Sequence, residues 1–399
     1  MDKYLLLLFA LMSLSGCDCD PDPRYEYLEW HKKDVEFLIE KLENGDLDDR
    51  DLAAGAVGRI GEPAQAAVPA LIRVLEDEIS WTRRNATELL DPIKPSPSNQ
   101  KPKGLTEEFR REMVRCAATW AFGQIGSSAI DAVPVLLLAL KDPDWVVRSN
   151  AAKSLGQIGK RDIAILPDLI RAMNDESWGV RVNAAYAVYR TDRSKWDIVL
   201  PLLTGALNHE KSSIRSDAVD VLGDIKAPIQ DVMPLLVKAL NDEAGSVRRG
   251  APEALGKIGG PAAVPVLREA LQAEDSSVGR AVAIALTQID TPEALQTLIS
   301  ALSDTDSTVR DHVSDALAEM NPPPKEAAPA LIAVLNDTDP WVRRHAARAL
   351  GKLGEAAAVP MLRKNLTHQN PRVREAAIDA LKEIATPEAL KAVKEFDSE

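Results

Sequence analysis

The amino-acid sequence predicts an all-α solenoid, on three observations. An arginine returns at a nearly constant interval, a two-helix pattern fills the space between successive arginines, and no stretch shows a β-strand pattern. The arginines are Arg50, Arg83, Arg115, Arg148, Arg181, Arg215, Arg248, Arg310, Arg343 and Arg374, with Gly279 where one more is due. Adjacent members lie 31 to 34 residues apart, and a fixed period in this range marks stacked supersecondary units, not a globule. The series amounts to about eleven two-helix repeats.

Each repeat opens with a helix led by proline, as in Pro134 to Leu140 and Pro234 to Leu240. Proline is tolerated in a first turn because the N–H it lacks has no intrahelical acceptor there. A short turn of Asp, Asn, Glu, Pro and Ser follows. In the second helix Val147, Ala151, Leu155 and Ile158 recur at steps of three and four and so share one face. Gly159 ends it, as Gly61, Gly126, Gly259 and Gly354 end theirs, because glycine takes the left-handed conformation without a Cβ clash. Alanine pairs such as Ala151-Ala152, Ala184-Ala185 and Ala346-Ala347 let neighbouring helices approach to about 8–10 Å. One helix pair cannot bury its own apolar face, so stability has to come from stacking. About eleven repeats at that spacing make a curved rod roughly 100 Å long.

The proline-led helix, the Asp turn and the pattern V-R-x-x-A-A-x-x-L-G-x-I-G, seen in DPDWVVRSNAAKSLGQIG from Asp142 to Gly159, resemble HEAT repeats. The short variety found in phycobilisome lyase HEAT-like proteins is the nearest in pattern, and the resemblance covers roughly residues 31–396. It implies the fold and leaves function open, because this fold hosts scaffolds, transport adaptors, chromophore lyases and DNA-repair enzymes. It also implies a structural ladder between adjacent repeats. The aspartates six residues before the arginine, Asp142, Asp175, Asp242, Asp304 and Asp337, together with Asp77, would pair with arginines of the set Arg148, Arg181, Arg248, Arg310 and Arg343. Where Gly279 replaces the arginine, Ala273 replaces the aspartate, although His209 and His368 stand beside retained Arg215 and Arg374. An anion site along the arginines is the alternative.

The N-terminus reads MDKYLLLLFALMSLSGC, with Lys3, an apolar run from Tyr4 to Leu14 and the ending Leu14-Ser15-Gly16-Cys17. The run is too short for a permanent span and has the shape of a signal peptide. The L-S-G-C ending resembles a bacterial lipoprotein lipobox. That implies cleavage after residue 16, lipidation of Cys17 and a membrane-anchored place in the bacterial cell envelope; an ordinary cleaved signal peptide is the alternative. Residues 17–30 then form an acidic tether before the repeats at 31–396. Asp18 resembles the inner-membrane retention signal of enteric lipoproteins. Cys19 is too near Cys17 for an unstrained bridge and Cys116 is far along the chain, so no disulfide framework is implied.

The net charge of −13 argues against nucleic acid as a partner, since phosphate binding calls for a basic stripe. His31, His209, His312, His345 and His368 lack ligand spacing, and no H-E-x-x-H, C-x-x-C or phosphate-binding glycine loop occurs. His312 and His345 hold equivalent positions in neighbouring second helices, where two solvated histidines are the simpler reading. No catalytic residue, metal, cofactor or small-molecule substrate is expected. The leading function is a lipid-anchored envelope scaffold that binds a protein or peptide along its concave helical face. The alternative is an enzyme or chaperone resembling the phycobilin lyases, against which the export signal argues.

Departures from the pattern point to sites. DPIKPSPSNQKPKGL, residues 91–105, carries four prolines that forbid a regular helix, and reads as a repeat whose first helix has become an exposed loop. TPEALKAVKEF, Thr386 to Phe396, echoes the start of the first helix at Thr291 and reads as a polar cap. Residues one and five after the arginine face away from the core. They are charged or small in most repeats, as in Asp311/Asp315 and Arg344/Arg348, which suggests solvated pairing. Three successive repeats differ, with Cys116/Trp120, Ser149/Lys153 and Val182/Tyr186, and Tyr189 stands where most repeats place glycine. Trp120, Lys153, Val182, Tyr186 and Tyr189 are therefore the candidate partner-binding residues; the alternative is that the aromatics fill packing gaps.

Overall fold

The computed structural model describes residues 32–89, 106–159, 163–272 and 276–397, and all regular structure among them is helical. Cys17, the tether and residues 91–105 lie outside the described residues. The chain divides into two compact halves, Met1–Ala206 and Leu207–Glu399. The first holds α1 (Lys32–Asn44), α2 (Leu47–Ile60), α3 (Val68–Leu89), α4 (Glu107–Ile125), α5 (Val133–Ala139), α6 (Trp145–Ile158), α7 (Leu166–Ala172), α8 (Trp178–Thr191) and α9 (Trp196–Leu207). The second holds α10 (Ser212–Asp224), α11 (Ile229–Leu240), α12 (Gly245–Ile258), α13 (Val264–Ala270), α14 (Ser276–Ile289), α15 (Pro292–Ala301), α16 (Ser307–Glu319), α17 (Ala328–Val334), α18 (Pro340–Leu353), α19 (Val359–Asn365), α20 (Pro371–Ile384) and α21 (Pro387–Asp397).

Odd numbers are first helices and even numbers are second helices, with α21 a last first-type helix that has no second helix after it among the described residues. Within each half the second helices pack in series, α2 on α4 on α6 on α8 and α10 through α20. The apolar face read from the sequence is the core: Val147 and Ala151 are fully buried, Leu155 keeps 1% of its surface and Ile158 4%. Four second helices begin on side-chain caps two residues ahead of the N–H they bind, with Asp144, Asp306, Asp339 and Asn370 as acceptors, while α8, α10 and α12 start after Ser177, Lys211 and Ala244 without one. Gly159 and Gly354 end helices in the left-handed conformation, while Gly61, Gly126 and Gly259 combine positive φ with extended ψ, a region open to glycine alone.

Two expectations change. Arg83 does not start a second helix of its own, because α3 runs unbroken from Val68 to Leu89. Four residues before Arg83, where several other repeats place a capping Asp or Asn, stands Ile79, buried at 5%. The chain continues there as helix, and α4 packs directly on α2. Pro234 does not open its helix either: α11 starts at Ile229 and carries Pro234 inside.

Residues Glu107–Ala139 are long and apolar enough to cross a membrane by composition, but half of their most apolar window is buried inside the fold. They are α4 and α5 joined by a 3-10 turn, and their apolarity is that of a core.

Candidate functional site

The recurring geometry is an arginine clasp from one repeat to the next, and not between the arginine and the aspartate six residues upstream of it. Four of the arginines reach forward 27 residues to the next repeat's aspartate. Arg115 meets Asp142 at 2.8 and 3.3 Å, Arg148 meets Asp175 at 2.8 and 2.9 Å, Arg215 meets Asp242 at 2.8 and 2.7 Å, and Arg310 meets Asp337 at 2.6 and 2.8 Å. These are two-pronged guanidinium–carboxylate pairs. Arg148, Arg215 and Arg310 also close their own turns by donating to backbone carbonyls, as Arg148 does to Asp142 and Pro143. Arg181, Arg248 and Arg343 donate to the carbonyls of Asp175, Asp242 and Asp337, whose carboxylates are already held from the preceding repeat. Asp304 has no arginine behind it, since Gly279 occupies that place, and accepts weakly from Gln272 at 3.4 Å. In the repeat that carries Ile79 at the capping position, buried Glu78 takes the acid's role, 2.8 Å from Arg111 and 3.6 Å from Arg50, while Asp77 is exposed.

Burial works against the Asp337 carboxylate, but hydrogen bonds from Arg310 and the Asp339 N–H outweigh it and hold the group below the ordinary carboxylate range. A depressed folded-state pKa contributes stability that is full above the unfolded value and is lost as pH falls through the folded one. Asp337→Asn is therefore expected to be less stable than wild type at neutral pH, with the gap closing below about pH 4. Hydrogen exchange of α16 and α18 across that range checks it; a gap independent of pH would mean the pair's charge contributes nothing.

Mid-helix glycines set how closely second helices approach. An added Cβ at Gly223 would lie 2.8 Å from the Ala254 Cα, and one at Gly256 would lie 3.0 Å from the Ala285 Cα. Side-chain amides and hydroxyls tie the same layer: Asn150 to the Cys116 carbonyl at 3.2 Å, Asn183 to the Ser149 hydroxyl at 2.9 Å, and Ser154 to the Thr119 carbonyl at 2.7 Å.

In the first half this layer carries a groove. Trp120 on α4 lies across Gly58 on α2, where a Cβ would meet the indole at 2.3 Å. Beside it α2 and α4 leave a space of about 390 Å³, lined by Asp51, Leu52, Arg59, Met113, Cys116 and Trp120 among others. Burial raises the Asp51 carboxyl, with Asp48 adding to the effect and Arg59 opposing it. Burial, with Asp144 and Glu112 next, pushes the Cys116 thiol up to about 12. A protonated thiol is no nucleophile at neutral pH. What the groove offers is an apolar slot, one aromatic edge and a partly desolvated acid–base pair, which suits a side chain of a partner.

Of the five candidate partner-binding residues, Trp120 is half-buried at the groove and Lys153 is exposed. Val182, Tyr186 and Tyr189 are not surface groups; they retain 0, 8 and 7% exposure. The Tyr186 ring fills the space beside Gly156, where a Cβ would meet it at 2.4 Å, and Tyr189 packs edge-on to Trp196 at 5.3 Å. These tyrosines are packing. Neither histidine is simply solvated: His345 sits 3.0 Å from Asp311 and 3.7 Å from Asp315, and burial, foremost, holds His312 below its ordinary pKa. Among the described residues no group of three or more His, Cys, Asp or Glu is placed to hold a metal.

The sequence matches the family model for HEAT repeats over residues 102–166, 133–223, 199–286, 270–335 and 328–398. No curated protein sequence matches it. Among solved structures, an engineered protein is similar at 22% identity and a TM-score of 0.36, over 88% of this chain and 99% of that one. The complex of CpcE and CpcF of phycocyanin lyase from Nostoc sp. PCC7120 is similar at 22% identity and a TM-score of 0.33, over 67% of this chain and 94% of that one. Kap95p, in a complex with RanGDP, is similar at 15% identity and a TM-score of 0.48, over 99% of this chain and 55% of that one. The family matches run from residue 102 to residue 398, most of the chain, and fall on the stacked helix pairs described above: the protein belongs to the HEAT-repeat family.

Proposed function

We propose that this chain is a lipid-anchored scaffold of the bacterial cell envelope that binds a protein or peptide along the face made by its second helices. The observation that carries the binding reading is the groove between α2 and α4, where half-buried Trp120 borders an apolar slot with Asp51 and Arg59 at its edge. Large aromatic side chains in partly desolvated pockets are the usual anchors of protein interfaces. The reading assigns no catalytic step. The anchor rests on Leu14-Ser15-Gly16-Cys17 alone; one acyl chain binds a membrane only marginally, whereas several hold it stably.

Two variants test the two parts separately. Cys17→Ser should move the protein from the membrane fraction to a soluble or unprocessed form, and mass spectrometry should find acyl groups on wild-type Cys17; wild type without them has no lipid anchor. Trp120→Ala should weaken capture of the partner crosslinked in intact envelopes by more than about 1 kcal/mol. Wild-type capture by a Trp120→Ala protein of normal helicity would place the binding site elsewhere.

A further inference from the structure

A second aromatic feature lies in the other half. Trp341, in the first turn of α18, keeps 41% of its surface exposed. Two guanidinium groups lie over its indole, Arg344 from the same helix at 5.3 Å and Arg372 from the first turn of α20 at 4.9 Å. His345 stands 6.2 Å from the ring.

Arginine stacks on tryptophan elsewhere too, but there the charge is engaged. Arg111, 4.4 Å over Trp81, is ion-paired with Glu78 and Glu107. Arg181, 4.8 Å over Trp178, donates to the Asp175 carbonyl. Nearby inner-face groups are also satisfied, Arg348 by Glu319 and His345 by Asp311. Among the described residues, neither the Arg344 nor the Arg372 guanidinium has a carboxylate or carbonyl partner. The solvated charge pairing that the sequence suggests for the Arg344 position does not form there. The helix beneath them is unusual for a chain of net charge −13: α18 carries Arg343, Arg344, Arg348 and Lys352 and no acidic residue.

A guanidinium stacked on an indole keeps its in-plane N–H groups directed outward, and that planar fork matches a carboxylate. Two such forks flanking one exposed apolar plate can grip two carboxylates with an apolar side chain between them. A long polyanion is disfavoured, because its dense charge would extend to the acidic residues of the neighbouring second helices, Asp311 and Asp315 on α16 and Glu375 and Asp379 on α20. A peptide with a few acidic residues engages the patch alone, since charges more than about 10 Å away are screened. We propose that Trp341, Arg344 and Arg372 form a docking site for an acidic peptide segment of a protein partner, with carboxylates on the two arginines and an apolar side chain on the indole. The proposal rests on the protein-binding reading of the chain, but neither on the Trp120 groove nor on the anchor.

The test uses the purified full chain and a fluorescein-labelled peptide of glutamates around a single phenylalanine, followed by fluorescence anisotropy. Wild type should bind it and bind its glutamine isostere at least about tenfold more weakly. Arg344→Gln, Arg372→Gln and Trp341→Ala should each lose about tenfold. Arg363→Gln, the same charge change at an α19 arginine paired with Glu395 of α21, should lose little. No binding by wild type, equal binding of the isostere, equal loss at Arg363, or a single-stranded oligonucleotide that competes better than the unlabelled peptide would each overturn the proposal. Because no membrane and no captured partner is involved, failure here leaves the Trp120 and Cys17 results to stand or fall on their own.

Discussion

Arg115→Ala is expected to destabilise the first half by about 3–5 kcal/mol, the range for removing one partner of a buried ion pair. The pair is among the most enclosed in the molecule, with side-chain exposures of 5% for Arg115 and 1% for Asp142. Truncation removes both prongs of the guanidinium and leaves the Asp142 carboxylate buried, held by the Asp144 N–H. That carboxylate also shapes the turn before α6, so the damage is both electrostatic and local. Since stacked repeats couple mainly to their neighbours, amides of α4 and α6 should exchange faster while those of α16 to α20 keep their protection. Arg115→Lys should recover little, because an ammonium cannot make the two-pronged contact. A cost below about 1 kcal/mol would show that the clasp behaves as a surface pair.

Leu155→Ala is expected to cost about 2–5 kcal/mol. Leu155 lies on the buried face of α6, keeps 1% of its surface and belongs to the layer in which α4, α6 and α8 pack in series. Its neighbours on that face, Val147, Ala151 and Ile158, are held on a helix pinned by the Asp144 cap and the Arg148 clasp and cannot collapse fully into the cavity. Leu138→Ala supplies the contrast: Leu138 is 38% exposed, and its loss should stay near 0.5 kcal/mol. Urea unfolding of the two variants distinguishes them; similar costs would mean that α6 is not at the core of its layer.

The repeat architecture was legible because its causes are local and recur. The three-and-four spacing of Val147, Ala151, Leu155 and Ile158, the first-turn prolines and the terminal glycines each act within a helix, and ten repetitions outvote any irregular one. The ladder was legible in composition but not in connectivity. A spacing of six residues within a turn and a reach of 27 residues to the next repeat pick the same aspartates, and only the fold shows that Arg148 holds the Asp175 carboxylate while Arg181 takes its carbonyl. The unbroken helix through Arg83 was masked in the sequence by the preserved interval. Tyr186 was misread because helical periodicity tells which way a side chain leaves its own helix, and not whether the neighbour opposite is glycine. Gly156 leaves the space that its ring fills. Trp341 shows the same limit from the other side, since its two arginines come from different repeats and only stacking brings them to one ring.

The claim on which the function rests is that a partner lies along the second helices at Trp120. Hydrogen exchange of the full chain with and without the partner captured from envelopes tests it most directly. Protection is expected on α2 around Leu52 to Arg59 and on α4 around Met113 to Trp120, with α1 and α3 unchanged. Protection confined to the odd-numbered helices, or none on α2 and α4, would contradict it.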